Sequence, residues 1–395
     1  MLFQALDDKK ECVGVYANGE LSFDNIPQEL SHTWSYSSSI DREGIQYAKI
    51  YAGGNELEDV CPEYLRDDYQ RVQRKMMAFY KSFFLSKVSL QEHCFYDLVP
   101  RRHLLEYFSV KNEISQWVFE NYEKPKNHDF VVRTTKMTSS IALQSFNVDR
   151  SELNPYIAED RVRTFRKRLD TGEQRVVYNP FGTITGRLTV SKSSFPILTL
   201  DKKFRKIVKP KNDWLVELDF NAAELRTLLG LSGSEQPEED LHQWNMENLY
   251  KEKEISREQA KEKIFSWLYN PNSIDKEAEK YYCRDKLVKK YFSEGKIRTP
   301  MGRVIESQER TALNYLIQST SSDIFLNSAY RVWEMLENRR SEVRFLVHDS
   351  VLLDLSNEDK ELLPEMIDKF SKTPLGKYKV GVSIGKSYGE MRKMK

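Results

Sequence analysis

Three features of the sequence predict an α+β fold. Two short apolar stretches, residues 214–220 (WLVELDF) and 343–355 (VRFLVHDSVLLDL), have the length and composition of strands. Stretches with helical spacing flank them, over 61–122 and from Glu309 to Leu336. Turn residues punctuate the chain at Asn18-Gly19, Asn179-Pro180 and Gly182.

Taken in order, residues 12–23 (CVGVYANGELSF) read as a hairpin, because Asn18 and Gly19 both tolerate positive φ. Residues 41–52 read as a second strand pair or a strand edge. The helical stretch 61–122 carries Phe79, Phe83, Tyr107 and Trp117, and Pro125 to Asp129 is a break. Strand and turn character returns over 174–190. The strand 214–220 reaches Asp219, and a helix from Ala222 to Leu231 follows and stops near Gly233. Residues 256–268 form a helix with Ser256 as N-cap and Gln259 completing a capping box. Residues 343–355 are two strands whose tight turn holds His348 and Asp349.

The chain has 395 residues and a net charge of +1, enough for two or three subdomains and uninformative about acidic partners. Basic clusters occur at 161–168, at 202–211 and between Arg284 and Arg303, each as compatible with a solvated face as with nucleic acid. No apolar run spans a bilayer, and residues 1–10 resemble neither a signal nor a transit peptide, so we expect no membrane partner and an intracellular, cytoplasmic protein. Cys12, Cys61, Cys94 and Cys283 lie far apart without a C-x-x-C pair. That spacing argues against a zinc site, offers no disulfide framework and fits a reducing compartment.

Asp219 at a strand end and Asp349 in a hairpin turn form the first chemical constellation. Carboxylates delivered by neighbouring strands can hold two magnesium ions roughly 4 Å apart, with manganese as a substitute. A lone aspartate in either place is ordinarily structural, so the pair gains meaning from its neighbours. Arg257, Lys261, Phe265 and Tyr269 recur every fourth residue and share one helix face. The cations stand toward the N-terminus, where the backbone also favours anions, so a triphosphate could meet them and a base or sugar could pack on the rings. An amphipathic helix with two core aromatics has the same spacing. Arg310, Asn314 and Gln318 repeat the four-residue step on the long helix, where minor-groove edges or a buried polar network could satisfy them.

Taken together, TGRL (Thr185 to Leu188), LDFNAAELR (Leu218 to Arg226), the Arg257-Lys261-Phe265-Tyr269 face and VHD (Val347 to Asp349) resemble family A (Pol I-like) DNA polymerases, in that family's order, over roughly residues 150–395. The resemblance implies a right-hand architecture: thumb at 61–170, palm at 171–235 and 306–395, and fingers at 236–305. Residues 1–60 are an N-terminal extension without an assigned role. It implies that Asp219 and Asp349 bind the metals and that catalysis draws on both and on Lys261. Arg257, Lys261, Phe265, Tyr269, the steric-gate Glu224 and His242 (of Asp240-Leu241-His242) would bind the nucleotide. Arg187, Arg310, Asn314, Gln318 and His348 would contact DNA. Primer-template DNA and deoxynucleoside triphosphates would be the substrates, with a processivity factor, helicase or separate exonuclease as further partners.

The sequence departs from the family pattern in four places. Ser350 replaces the acid that usually follows VHD, Asn270-Pro271 stands where glycine is common, and Tyr269 to Arg310 is short. No D-x-E exonuclease motif is recognised before the palm and a complete proofreading domain would hardly fit there, so no 3′→5′ proofreading is expected. A single-subunit RNA polymerase is the rival enzyme, and it lacks a bulky gate such as Glu224; an inactive DNA-binding scaffold is the rival from another class.

Overall fold

The computed structural model describes residues 1–9, 11–90, 92–170, 172–251, 255–270 and 272–394. They divide into two compact units, Met1–Lys136 and Met137–Lys395. The boundary falls inside 61–170, the stretch expected to be a single helical thumb.

In the first unit, β1 (Phe3–Ala5), β2 (Val15–Ala17) and β3 (Glu20–Ser22) form an antiparallel sheet. The β2–β3 hairpin turns at Asn18 (φ 50°) and Gly19 (φ 82°), as the dipeptide predicts. Helices α1 (Arg66–Leu85) and α2 (Arg101–Asn121) pack on each other. Val72, Met76, Leu104, Phe108, Ile114 and Val118 are buried there.

Two expectations fail in this unit. Residues 41–52 are not a strand pair: only Gln46–Tyr47 is extended, in parallel with His32–Thr33, and Ala48–Tyr51 turns helical. That turn buries Ala48 against Trp34, Leu57 and Val60, so packing overrides the local extended propensity. Cys12 and Cys94 form a disulfide with Cα atoms 5.4 Å apart, 82 positions distant in sequence, while Cys61 and Cys283 are free. The pairing removes cysteine usage as an argument for a reducing compartment. Contrary to the expectation of no D-x-E motif, the triplet Asp41-Arg42-Glu43 has that form. Its Asp41 is paired with Lys136 at 2.7 Å, and Arg42 donates to the carbonyls of Pro27 and Gln28.

The second unit is built around one strand. β4 (Trp214–Phe220) lies between β6 (Ser350–Leu355) and β7 (Val380–Gly385). With β5 (Glu342–Val347) and β8 (Arg392–Lys393) they make an antiparallel sheet in the order β5-β6-β4-β7-β8. Leu215, Val216, Leu218 and Phe220 are buried, as a central strand requires. β5 and β6 meet through the two-residue loop His348-Asp349, with His348 at φ 57°.

Behind the sheet run α3 (Ala223–Ser232), α5 (Glu309–Met335) and α6 (Leu363–Ser371), and α4 (Arg257–Tyr269) joins them. Leu225, Leu228, Ile264, Trp267, Leu316 and Ile317 share one core that fixes α3, α4 and α5 to each other. α3 ends at Gly233 (φ 77°), which supplies the left-handed C-cap at no Cβ cost. α4 begins with the expected capping box: Ser256 accepts from the Gln259 N–H, and Gln259 accepts from the Ser256 N–H. No helix among the described residues is long and apolar enough to cross a membrane.

Candidate active site

Asp219 and Ser350 are opposite each other in the β4–β6 register, and the Phe220 N–H donates to the Asp349 carbonyl at 3.3 Å. The strand end and the hairpin turn therefore bring Asp219 and Asp349 to one edge of the sheet. They open on a cavity of about 440 Å³ that Arg187, Glu224, His242, Arg257, Lys261, Phe265 and His348 also line. Nine residues singled out from sequence thus share one wall-to-wall space.

Local chain geometry sets each group. Ala222 stands at φ 52°, a conformation that costs an L-residue about 1–2 kcal/mol. Asn221 holds that corner: its side chain donates to Asp240 at 2.8 Å and accepts from the Leu241 N–H at 3.0 Å. The buried Arg226 donates to the carbonyls of Asn221, Pro237 and Glu239 and closes the same corner. Arg187 follows Gly186 (φ 76°), where a Cβ would collide with the Arg303 guanidinium. Arg303 in turn donates to the buried Asp323 carboxylate at 2.9 Å.

The cavity is electrostatically divided. Burial first, then the charges of Asp349 and Glu217, push Asp219 up to about 7, with Lys393 opposing. Burial also raises Asp349, helped by Glu224 and opposed by its own backbone N–H, His348 and Arg187. Both side chains open on the cavity; the shift reflects the surrounding protein and the mutual repulsion rather than a sealed core.

On the α4 side of the cavity Arg257 pairs with Asp240, Nε to Oδ1 at 3.2 Å and Nη2 to Oδ2 at 2.8 Å. Burial works against ionisation of Asp240, but Arg257, the Gln243 N–H and Asn221 overcome it and hold the carboxyl far below its usual range. His242 is pushed down to about 4 by burial, with Lys261, Arg257 and Arg226 adding to the effect against Asp240. Its imidazole is neutral at pH 7, and the buried Nδ1 has no hydrogen-bond partner. A buried orphan nitrogen lining a cavity is a group left for a ligand. Perturbed titratable groups of both signs around one cavity are a general mark of functional sites.

Glu224 is gripped from two sides. Arg187 donates to its Oε1 at 2.6 Å and the Tyr269 hydroxyl donates to its Oε2. Phe265 and Tyr269 stack at 5.9 Å, and His242 lies 5.7 Å from Phe265. Tyr269, Asn314, Gln318 and Arg310 are not in the cavity wall. Tyr269 reaches it through Glu224. Asn314 Nδ2 donates to the Tyr269 carbonyl at 3.5 Å, and Gln318 lies near the Tyr269 hydroxyl. Arg310 is exposed on the first turn of α5.

Sequence reasoning missed Asp240 as the partner of Arg257, and it missed Asn221, Glu217 and Lys393. Glu217 had a signal, since it lies two residues before Asp219 on the same strand face. Lys393 had none: only the β7–β8 pairing brings it to this edge.

No protein-family model matches the chain. In sequence it is 27 % identical over 256 residues to DNA polymerase I of Geobacillus stearothermophilus, covering 50 % of this chain and 29 % of that protein. It is 26 % identical over 271 residues to the DNA polymerase of Mycobacterium phage L5, covering 59 % and 42 %. It is 24 % identical over 334 residues to DNA polymerase I of Caldicellulosiruptor bescii, covering 67 % and 38 %. The chain spans under half the length of these curated relatives. Among solved structures it resembles the POL domain of Pol1 from M. smegmatis, in complex with DNA primer-template and dNTP, with a TM-score of 0.57. Identity there is 13 %, and the match covers 73 % of this chain and 76 % of that one. The family A resemblance read from the motifs is borne out by these matches.

Proposed function

From a chain that resembles DNA polymerase I in sequence and has the fold of its polymerase domain, we propose a template-directed DNA polymerase that extends a primer 3′ end with deoxynucleotides. The observation that carries this reading is the cavity itself, lined by Asp219 and Asp349 from the sheet edge, by Arg257 and Lys261 from α4 and by His242. An acidic pair facing a basic pair suits a triphosphate bridged by cations.

Two carboxylates from adjacent strands, with room for phosphate oxygens and waters, are the donor set that magnesium takes. Asp219 and Asp349 would hold the ions. Bound there, a pair of magnesium or manganese ions supplies a lowered pKa for the primer 3′-hydroxyl and charge neutralisation at the leaving pyrophosphate.

The protein's own groups do the rest. Arg257 exchanges Asp240 for the triphosphate, Lys261 neutralises the departing charge, and neutral His242 offers a hydrogen bond to a phosphate oxygen. Phe265 packs on the base or sugar. Glu224, fixed by Arg187 and Tyr269, closes the space where a ribose 2′-hydroxyl would lie, which favours deoxynucleotides over the ribonucleotides of a single-subunit RNA polymerase. Arg187, Arg310, Asn314, Gln318 and His348 form the DNA side of the site. In this reading the β4–β8 sheet with α5 is the palm, 236–305 the fingers and 61–170 the thumb, and no 3′→5′ excision accompanies synthesis.

Extension of a labelled primer-template with magnesium, comparing deoxy- with ribonucleotides and matched with mismatched 3′ ends, tests it. Deoxynucleotide-selective extension without mismatch removal is expected. Equal use of both sugars, or normal extension by Asp219→Ala and Asp349→Ala, would overturn it.

A further inference from the structure

Ser350 leaves the hairpin turn without an acid at the position facing Asp219. The acid stands across the strand pair. The Ser350 hydroxyl, in a buried side chain, lies 3.2 Å from Glu217 Oε1 and 3.1 Å from the Val347 carbonyl, so its one proton is shared between the two acceptors. Glu217 is two residues before Asp219 on β4, so both side chains leave the same face of the sheet. Register extends the row: Glu217 is opposite Ser383, and Ser383 is opposite Lys393, which lines the cavity. Residues diagonal across an antiparallel pair are about 7–8 Å apart, within reach of a glutamate.

A second observation points to the same place. The Tyr388 side chain is 5 % exposed, and its buried hydroxyl makes no hydrogen bond of good geometry. It lies close enough to Glu217 and Asp219 to feel both charges. A phenol hydroxyl beside a carboxylate is a donor to it, so Tyr388 helps hold Glu217 next to Asp219.

Among the described residues no three acidic, histidine or cysteine side chains converge tightly enough to hold one metal ion between them. Glu217 therefore stands behind Asp219 rather than on the ion. We infer that Glu217, fixed by the Ser350 hydroxyl, is a positioning residue of the cation site, supplying from β4 the third negative charge that the His348-Asp349 turn lacks. The inference rests on the proposed metal-binding role of Asp219 and Asp349. Glu217 orients the hydration shell of what Asp219 holds and strengthens the field on it, so its loss weakens cation binding while the fold persists.

The test is binding of Mn²⁺ alone to the purified full chain, read as free Mn²⁺ by electron paramagnetic resonance, with thermal melting as the control for folding. The isosteric Glu217→Gln should weaken Mn²⁺ binding about tenfold, the lower end of what loss of an outer-shell partner costs. Adding Ser350→Glu to Glu217→Gln returns the acid to the turn and should recover most of that affinity. Unchanged affinity in a folded Glu217→Gln protein, or a double variant no better than the single one, overturns the inference. Asp219→Asn separates the two readings. If it abolishes Mn²⁺ binding while Glu217→Gln does not change it, only Glu217 is misassigned. If Asp219→Asn also binds normally, the metal reading falls and this inference falls with it.

Discussion

The two walls of the cavity solve the same problem in opposite ways. At the basic wall Arg257 already has an anion, Asp240, which also accepts from the N–H groups of His242 and Gln243 and from Asn221. At the acidic wall Asp219 is raised by burial and by the charges of Asp349 and Glu217, with Lys393 opposing, and Asp349 by burial and by the charge of Glu224. One wall is neutralised within the protein and must trade partners when a ligand arrives. The other is under repulsion and gains as soon as a cation enters. The difference teaches that ligand binding should be cheap at the carboxylates and competitive at the arginine.

The largest effect should come from the acidic wall. Asp219→Asn is expected to cut the primer-extension rate by about a thousandfold or more, since metal-borne charge stabilisation contributes several kcal/mol. Template-primer binding, measured by fluorescence anisotropy, should change little. A loss of DNA affinity as large as the loss of rate would show that Asp219 serves binding rather than chemistry, and the contrast between the walls would break.

Next in size is the ring face of α4. Phe265→Tyr should markedly raise incorporation of terminators lacking a 3′-hydroxyl relative to normal nucleotides, read from termination ladders. An unchanged ratio would mean that Phe265 does not border the sugar.

The burial of Asp219, together with the charges beside it, predicts a pH signature without metal. Asp219 titrates higher in the folded state (about 7) than in the unfolded chain, so between about pH 4 and 7 the folded state binds the extra proton. Its contribution to stability is therefore present at low pH and is lost as pH rises through that window. His242, pushed down to about 4, acts in the opposite sense between about 4 and 6.5, so the two must be separated by mutation. The melting temperature of Asp219→Asn minus that of the parent should grow from pH 4 to above 7, and magnesium should shrink the gap. A gap independent of pH would refute the raised titration of Asp219.

The smallest effect belongs to the basic wall. Asp240→Asn keeps a good N-cap but removes the charge that holds Arg257. Freeing Arg257 should lower the KM for nucleotides about fivefold, the equivalent of a partly exposed ion pair worth about 1 kcal/mol. A raised KM would mean that Asp240 aims Arg257 rather than competing for it.

Much of this was legible locally. The strand Trp214–Phe220 matches its sequence signature to the residue, because a short apolar run closed by a turn has few alternatives. The Ser256–Gln259 capping box and the Gly233 stop were equally readable, since caps are interactions within four residues. Tyr269 was read correctly onto the face of α4, but its distance from the cavity wall and its bond to Glu224 were not, because α3 had first to be placed beside α4. Residues 41–52 misled for the same reason: the burial of Ala48 is decided by Trp34, Leu57 and Val60.

The sequence alone thus placed each candidate residue on its local element, because periodicity, caps and turns act over a few residues. Only the tertiary structure decided who faces whom. It set Asp240 against Arg257, Glu217 behind Ser350, Lys393 at the edge of the carboxylates and Cys12 on Cys94. Those pairings join positions up to 174 apart, as Asp219 and Lys393 show, and no local rule reaches that far; strand register and core packing do.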